Sequence, residues 1–351
     1  MKLDYLLELT VVNNASDLHV CSGIPPSIRI NGDLIFLNEP VLGPDDCRSL
    51  AQEVLRSDLI KEFNEKGEVD LSYMIKGLAR FRINVFKQRN SIAIAARVIP
   101  TDVPEVEKLG LPNVVYDLME KQRGLILVTG PTGSGKSTTL ASMLNYINKK
   151  RTSHIVTIED PIEFLHKHIK CVVNQRELGS DTLSYANALR AALREDPDII
   201  LIGEMRDMET IETALTAAET GHLVLSTLHT SGAAKTIDRI IDVFPPHQQS
   251  QVRSQLSTVL QGIISQQLIK KADGNGRVLA TEVMVWTPAI ANLIRESRIP
   301  QINTNIHTGS QLGMHSMDSC ISNLFKMGLI DYQTACKYAL DQENFKKLIN
   351  Y

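Results

Sequence analysis

Apolar residues recur in two different rhythms along this chain, and the rhythm changes near residue 100. Leu3, Leu6, Leu7 and Val11 lie at helical spacing, and Asn13-Asn14 ends that pattern. Strand-like alternation follows at 16–20 and 28–30, and Asn31-Gly32 is a two-residue hairpin signal leading into a strand at 34–37. Leu50, Val54, Leu55 and Leu59 predict one helix over 45–63, opened by Pro44-Asp45. Strands are expected at 69–73, 80–86 and 92–98, so residues 1–99 read as one small α+β domain. Residues 100–110 carry Pro100 and Pro104 in a polar setting that suits a linker.

From residue 111 the pattern alternates helix and strand. Helices are predicted at 114–120, 137–149, 183–194 and 208–220, and strands at 125–128, 154–158, 199–202 and 223–226. Such alternation predicts an α/β core over 111–270 built on a largely parallel sheet. After Asp242 strands thin out: Pro245-Pro246 breaks the chain, 248–268 is helix-permissive, and Asp273-Gly-Asn-Gly276 turns before 277–286. Helical patterns at 289–296 and 318–350 make 271–351 a mainly helical C-terminal segment.

A chain of 351 residues has room for about two to three domains, each with its own core. A net charge of −3 favours neither nucleic acid nor a membrane surface as partner. Five scattered cysteines without a C-x-x-C pair read as reduced thiols, not a zinc site or a disulfide framework. Glu8 interrupts the early apolar run and no apolar stretch reaches membrane-spanning length, so a cytoplasmic protein without direct membrane insertion is expected.

The chemistry gathers at four places. Residues 125–137 run from an apolar strand into G-x-x-x-x-G-K-S, with Gly130, Pro131, Thr132, Gly133, Ser134, Gly135, Lys136, Ser137 and Thr138 as a phosphate cradle. Lys136 would reach the β/γ-phosphates of ATP and Ser137 would offer its hydroxyl to Mg²⁺. The apolar strand 199–202 ends in Glu204, a carboxylate placed to face metal or water. Glu159, Asp160 and Glu163 follow another strand and are candidates for orienting or deprotonating the attacking water. His222 and His229 flank the strand at 223–226 as candidate nucleotide contacts, and His229 is placed to sense the γ-phosphate. Arg80, Arg82, Arg89 and Arg97 lie among apolar strand residues, either as a solvated sheet face or as groups reaching phosphate from a neighbouring subunit.

In order and spacing these clusters resemble the hexameric secretion-superfamily ATPases of type IV pili and type II secretion. Residues 130–137 resemble the Walker A motif, 157–163 the Asp box, 199–207 Walker B and 221–229 the His box. Ala15-Ser-Asp-Leu-His19 resembles the N-terminal signature, and Arg80-Phe-Arg-Ile-Asn84 the arginine strand. Within the family the likeness is to the pilus-retraction branch. Little chain precedes Ser16, a four-cysteine insertion is missing, and Ala289-Ile-Ala-Asn-Leu-Ile-Arg-Glu296 resembles a retraction signature, with Ala291 in place of arginine.

The resemblance implies a PAS-like domain over 1–99, a RecA-like P-loop core and a homohexamer that hydrolyses ATP with Mg²⁺. It implies that Glu163 and Glu204 share metal, water and base duties. Arg82 and Arg97 would approach the phosphates from the N-terminal domain, and Arg239 would act across a subunit interface. The expected function is a motor for type IV pilus retraction at the inner face of the cytoplasmic membrane, working with an inner-membrane platform protein. A pilus assembly or type II secretion ATPase, and a non-hydrolysing ring scaffold switched by ATP, are the alternatives.

Overall fold

The computed structural model describes residues 2–30, 32–100 and 102–349. Asn31 of the hairpin signal, Thr101 of the expected linker, and Asn350 and Tyr351 at the end of the last expected helix lie outside the described residues. The chain divides into two compact units, one running to Asp102 and including Glu163–Leu165, the other comprising Val103–Ile162 and His166–Tyr351.

In the first unit the order is α1 (Leu3–Val12), β1 (Asp17–Val20), β2 (Ser27–Ile30), β3 (Asp33–Phe36), α2 (Pro44–Gln52), α3 (Ser57–Lys66), β4 (Glu68–Ile75), β5 (Ala79–Gln88) and β6 (Ser91–Ile99). The strands form one antiparallel sheet in the order β3-β2-β1-β6-β5-β4. Alternation sorts β5: Ala79, Phe81, Ile83 and Val85 are buried in a core shared with Leu3, Leu6, Leu7 and Leu50, while Arg80, Arg82 and Asn84 take the other face. The single helix expected over 45–63 is instead two helices, with Arg56 extended between them (φ −74°, ψ 166°). Val54 and Leu55 are buried in that connection. Their apolar spacing carries the helical rhythm across a gap in the helix.

The second unit opens with Val106 buried in a short 3₁₀ turn, so the chain from Val103 packs with this unit and is not a free connector. There follow α4 (Val114–Met119), β7 (Gly124–Thr129), α5 (Lys136–Lys150), β8 (His154–Glu159), β9 (Val172–Glu177), α6 (Tyr185–Ala192), β10 (Ile199–Ile202), α7 (Met208–Glu219) and β11 (Leu223–Leu228). Beyond them come α8 (Ala233–Asp242), α9 (Pro246–Val259), β12 (Leu260–Lys270) and β13 (Arg277–Val285). Helices α10 (Pro288–Arg295), α11 (Gln301–Thr308), α12 (Met317–Lys326), α13 (Tyr332–Tyr338) and α14 (Gln342–Leu348) close the chain.

The seven strands are ordered β13-β12-β7-β11-β10-β8-β9, parallel throughout except for β13. β11 intervenes between the P-loop strand β7 and β10, the strand that leads to Glu204, the RecA-like arrangement that the family resemblance implies. Both faces are covered. On β7, Leu125 and Leu127 enter one core cluster and Ile126 and Val128 the other.

Two expectations are corrected here. The stretch 248–268 is not one helix, because α9 ends at Val259 and the chain then continues as an eleven-residue strand. Glutamines and serines among Leu260, Ile263 and Ile264 blur any period, and burial between β7 and β13 selects the strand. A core ending at residue 270 would cut the β12–β13 hairpin, so β13 belongs to the core sheet and the helical segment begins after it. The helical pattern over 318–350 is carried by three short helices, α12 to α14. The polar edge strand β9, Val172–Glu177, carries no apolar alternation in its sequence.

Candidate functional site

Parallel, in-register strands deliver their C-terminal ends to one edge. Leu228 pairs with Thr129, and Ile202 lies level with both Ser226 and Ile158. Gly130, His229, Gly203-Glu204 and Glu159 therefore leave the sheet together, at the edge where open α/β sheets bind ligands.

The cradle is built on backbone. Gly130 sits at φ 145°, and a Cβ there would lie 2.3 Å from the Gln266 carbonyl oxygen and 2.7 Å from Ser134 Oγ. Only glycine fits. Gln266, fully buried on β12, donates its Nε2 to the Ser134 carbonyl at 2.7 Å and so fixes the loop from behind. Pro131, Thr132 and Gly133 are exposed on the outer bend, Ser134 is buried, and Ser137 and Thr138 are half-buried in the first turn of α5. The Thr129 and Ser134 hydroxyls are buried there without a hydrogen-bond partner.

Lys136 is 8% exposed. Its Nζ donates to the carbonyl oxygens of Gly130 (2.9 Å) and Pro131 (3.1 Å) and lies 3.5 Å from His229 Nδ1. His229 Nε2 is 3.2 Å from Glu204 Oε2, which Arg206 also meets at 2.8 Å. An ammonium can only donate, so Nδ1 accepts and Nε2 carries the proton toward Glu204. Burial pushes the Glu204 carboxyl up, but the Arg206 hydrogen bond and charge, with the hydrogen bond from His229, outweigh it and hold the group below its usual range. Thr227 Oγ1 donates to the Gly203 carbonyl at 2.6 Å and ties the Glu204 turn to β11.

The arrangement offers the groups that a nucleotide phosphate with its cation calls for: backbone N–H groups at a helix start, a lysine, a hydroxyl at Ser137 and a carboxylate at Glu204. Among the described residues no group of three or more His, Cys, Asp or Glu could hold a metal by itself. A cation here would take Ser137, Glu204 and the nucleotide's own oxygens as ligands.

Other sequence candidates fall elsewhere. Glu159 is occupied by Thr157 Oγ1 (2.6 Å) and Gln175 Nε2 (3.1 Å). Glu163 is exposed and groups with the first unit. His222 precedes β11 at the end opposite His229, about 23 Å away for seven Cα steps at roughly 3.3 Å each. Its Nδ1 meets the Ala217 carbonyl at 2.9 Å, so the ring closes the α7–β11 turn and does not contact the cradle of its own subunit. Arg82 and Arg97 are cross-strand partners in the first unit. Arg97 bonds Asp17 at 2.8 Å, Arg82 faces Asp70 at 3.7 Å, and both line a cavity of about 330 Å³ with Asn84. Arg239 is exposed in the last turn of α8. Arg206 and Gln266 were not foreseen. Arg206 lies inside the Walker B-like segment, so its position two residues past Glu204 was an available signal.

The type II/IV secretion system protein family matches residues 68–311. A type IV pilus retraction ATPase, PilT, of Pseudomonas aeruginosa is 52% identical over 98% of this chain and 100% of its own length. A twitching motility protein of Neisseria gonorrhoeae is 48% identical over 97% of this chain and 91% of its own. A crystal structure of the pilus retraction motor PilT with bound ADP superposes with a TM-score of 0.92 at 50% identity, covering 99% of both chains.

Proposed function

The chain belongs to the type II/IV secretion system protein family, and from that premise we propose that it is an ATP-hydrolysing motor powering type IV pilus retraction. The observation that carries this is the run Lys136–His229–Glu204–Arg206 beside the phosphate cradle. It links the group that holds phosphate to the carboxylate that faces metal and water.

Lys136 exchanges its two loop carbonyls for the β- and γ-phosphates of ATP, and the N-terminal amides of α5 hold the same oxygens. Ser137 and Glu204 would hold Mg²⁺, which would supply positive charge to offset what gathers on the phosphates. With Lys136 turned to phosphate, His229 Nδ1 is free to take up a proton and donate it to the γ-phosphate while Nε2 stays on Glu204, so the imidazole reports the γ-phosphate. A carboxylate held strongly ionised is a weak base, which suits Glu204 to the metal and leaves Glu163 to take the proton of the attacking water. In a homohexamer, Arg82, Arg97 and Arg239 complete the site from neighbouring domains and subunits, where such arginines are worth about 10³–10⁵ in rate.

The motor acts on pilin filaments from the cytoplasmic face of the inner membrane through a platform protein. Among the described residues no helix is long and apolar enough to cross a membrane. Phosphate release by the purified chain should vanish in Lys136→Ala and fall at least about 10²-fold in Glu204→Gln and Glu163→Gln. A gene deletion should leave surface pili retained or in excess while surface motility is lost. Loss of the pili would assign the chain to assembly instead.

A further inference from the structure

One carboxyl group outside the nucleotide site touches the starts of two helices. Glu282 lies on β13, is 6% exposed, and sits directly opposite Ser265 of β12. The chain leaving His229 passes these two side chains within four residues. Gly232 N–H donates to Ser265 Oγ at 2.9 Å, and Ala233 N–H, the first of α8, donates to Glu282 Oε1 at 2.8 Å. Gly232 has no side chain with which to cap α8, so the neighbouring strands supply the acceptors that the helix start requires.

The second oxygen faces the other way. Glu282 Oε2 accepts from Met317 N–H, the first of α12, at 3.4 Å. α12 is joined in turn to the next helices by Asp318, whose two oxygens accept from Leu340 N–H (2.7 Å) and Asp341 N–H (3.1 Å). A cavity of about 350 Å³ lies beside this junction, lined by Gly232, Lys235, Glu282, His307, Ser316 and Asp318, and gives the helix starts room to shift.

We propose that Glu282 is a positioning residue that couples the His229 loop to the C-terminal helices: one carboxyl group holds the N-termini of α8 and α12 together, so a shift of the loop on phosphate binding moves both. This rests on the reading of 130–137, Glu204 and His229 as an ATP-hydrolysing site. Packing alone would be satisfied by glutamine, which has the same shape. A two-helix clamp would not, because glutamine offers one acceptor oxygen and turns an N–H₂ donor toward the other helix start.

The test is hydrogen exchange of the full-length assembled chain, with and without a non-hydrolysable ATP analogue, alongside phosphate release. In the native protein the analogue should slow exchange at 231–236 and, in step, at 317–319 and 340–343. In Glu282→Gln protection at 231–236 should persist, while that at 317–319 drops by about tenfold, the worth of one backbone–carboxylate bond. kcat should fall with the KM for ATP unchanged. Asp318→Asn breaks the chain one step later, should lose only the response at 340–343, and carries the test if Glu282→Gln fails to fold. A nucleotide response at 317–319 that survives Glu282→Gln, or is absent from the native protein, overturns the coupling. A native protein that releases no phosphate overturns the ATPase reading instead.

Discussion

Replacing Lys136 by methionine separates what the lysine does for the fold from what it does for the nucleotide. Two opposing effects act on the free protein. The Gly130 and Pro131 carbonyls lose their ammonium donor, at about 1–2 kcal/mol, and a nearly buried charge no longer has to be desolvated, a gain of similar size. The melting temperature of the free variant should therefore move by less than about 3 °C. Binding is different. An ATP analogue at 100 times its Kd stabilises the native protein by about 2.7 kcal/mol, or about 5–10 °C in Tm. Truncating one partner of a close charge pair costs about 2–4 kcal/mol, which weakens binding about 30- to 1,000-fold. At the same analogue concentration the variant would gain under about 1 kcal/mol. Thermal melts with and without the analogue measure both quantities. A full analogue-induced shift in the variant would refute the site. A collapse of the free variant by 10 °C or so would show the lysine to be a strut of the loop.

Three further outcomes are expected. Gly130→Ala places a Cβ against the Gln266 carbonyl at a φ of 145°, so Tm should fall by about 5 °C or more with loss of nucleotide binding; normal melting with normal binding would contradict the cradle geometry. Glu204 is held below its ordinary 4.5, so its ionised-state contribution is complete above that pH and is lost as pH falls through the lower folded value. Arg206→Gln should raise that value and move the acid limb of the pH–rate profile upward. Because the guanidinium is 66% exposed, the move should be small, and a limb that stays put or moves down would exclude the ion pair as its cause. His222→Ala should leave kcat/KM within about twofold while lowering Tm slightly, since the ring caps a turn at the far end of β11; a large loss of activity would place it in a neighbour's site.

What could be read in advance was local in sequence. Gly130, Lys136 and Ser137 announce the cradle because the chemistry needs them within one turn of chain. Glu204 and His229 were legible because each follows an apolar strand, and parallel strands bring such ends to one edge. Arg206 lay in plain view, yet its tie to Glu204 depends on the turn after β10. Gln266 and Glu282 were invisible for another reason: their roles exist only once β12 and β13 close the sheet, and 248–268 has the composition of a helix. Glu163 is a different case. Four residues from Glu159 in sequence, it groups with the other unit.

The β12–β13 hairpin sets where this protein can be dissected. A fragment ending at Lys270 would contain every nucleotide motif, yet it would strip β12 of its antiparallel neighbour over nine paired positions. Ile263, Ile264 and Ile269 would then sit on an open, unpaired edge that invites strands from other molecules. A fragment must therefore continue at least through Val285 to keep the sheet closed, and through Met317 to keep both hydrogen bonds to Glu282. The nucleotide motifs end well before the sheet that supports them is complete.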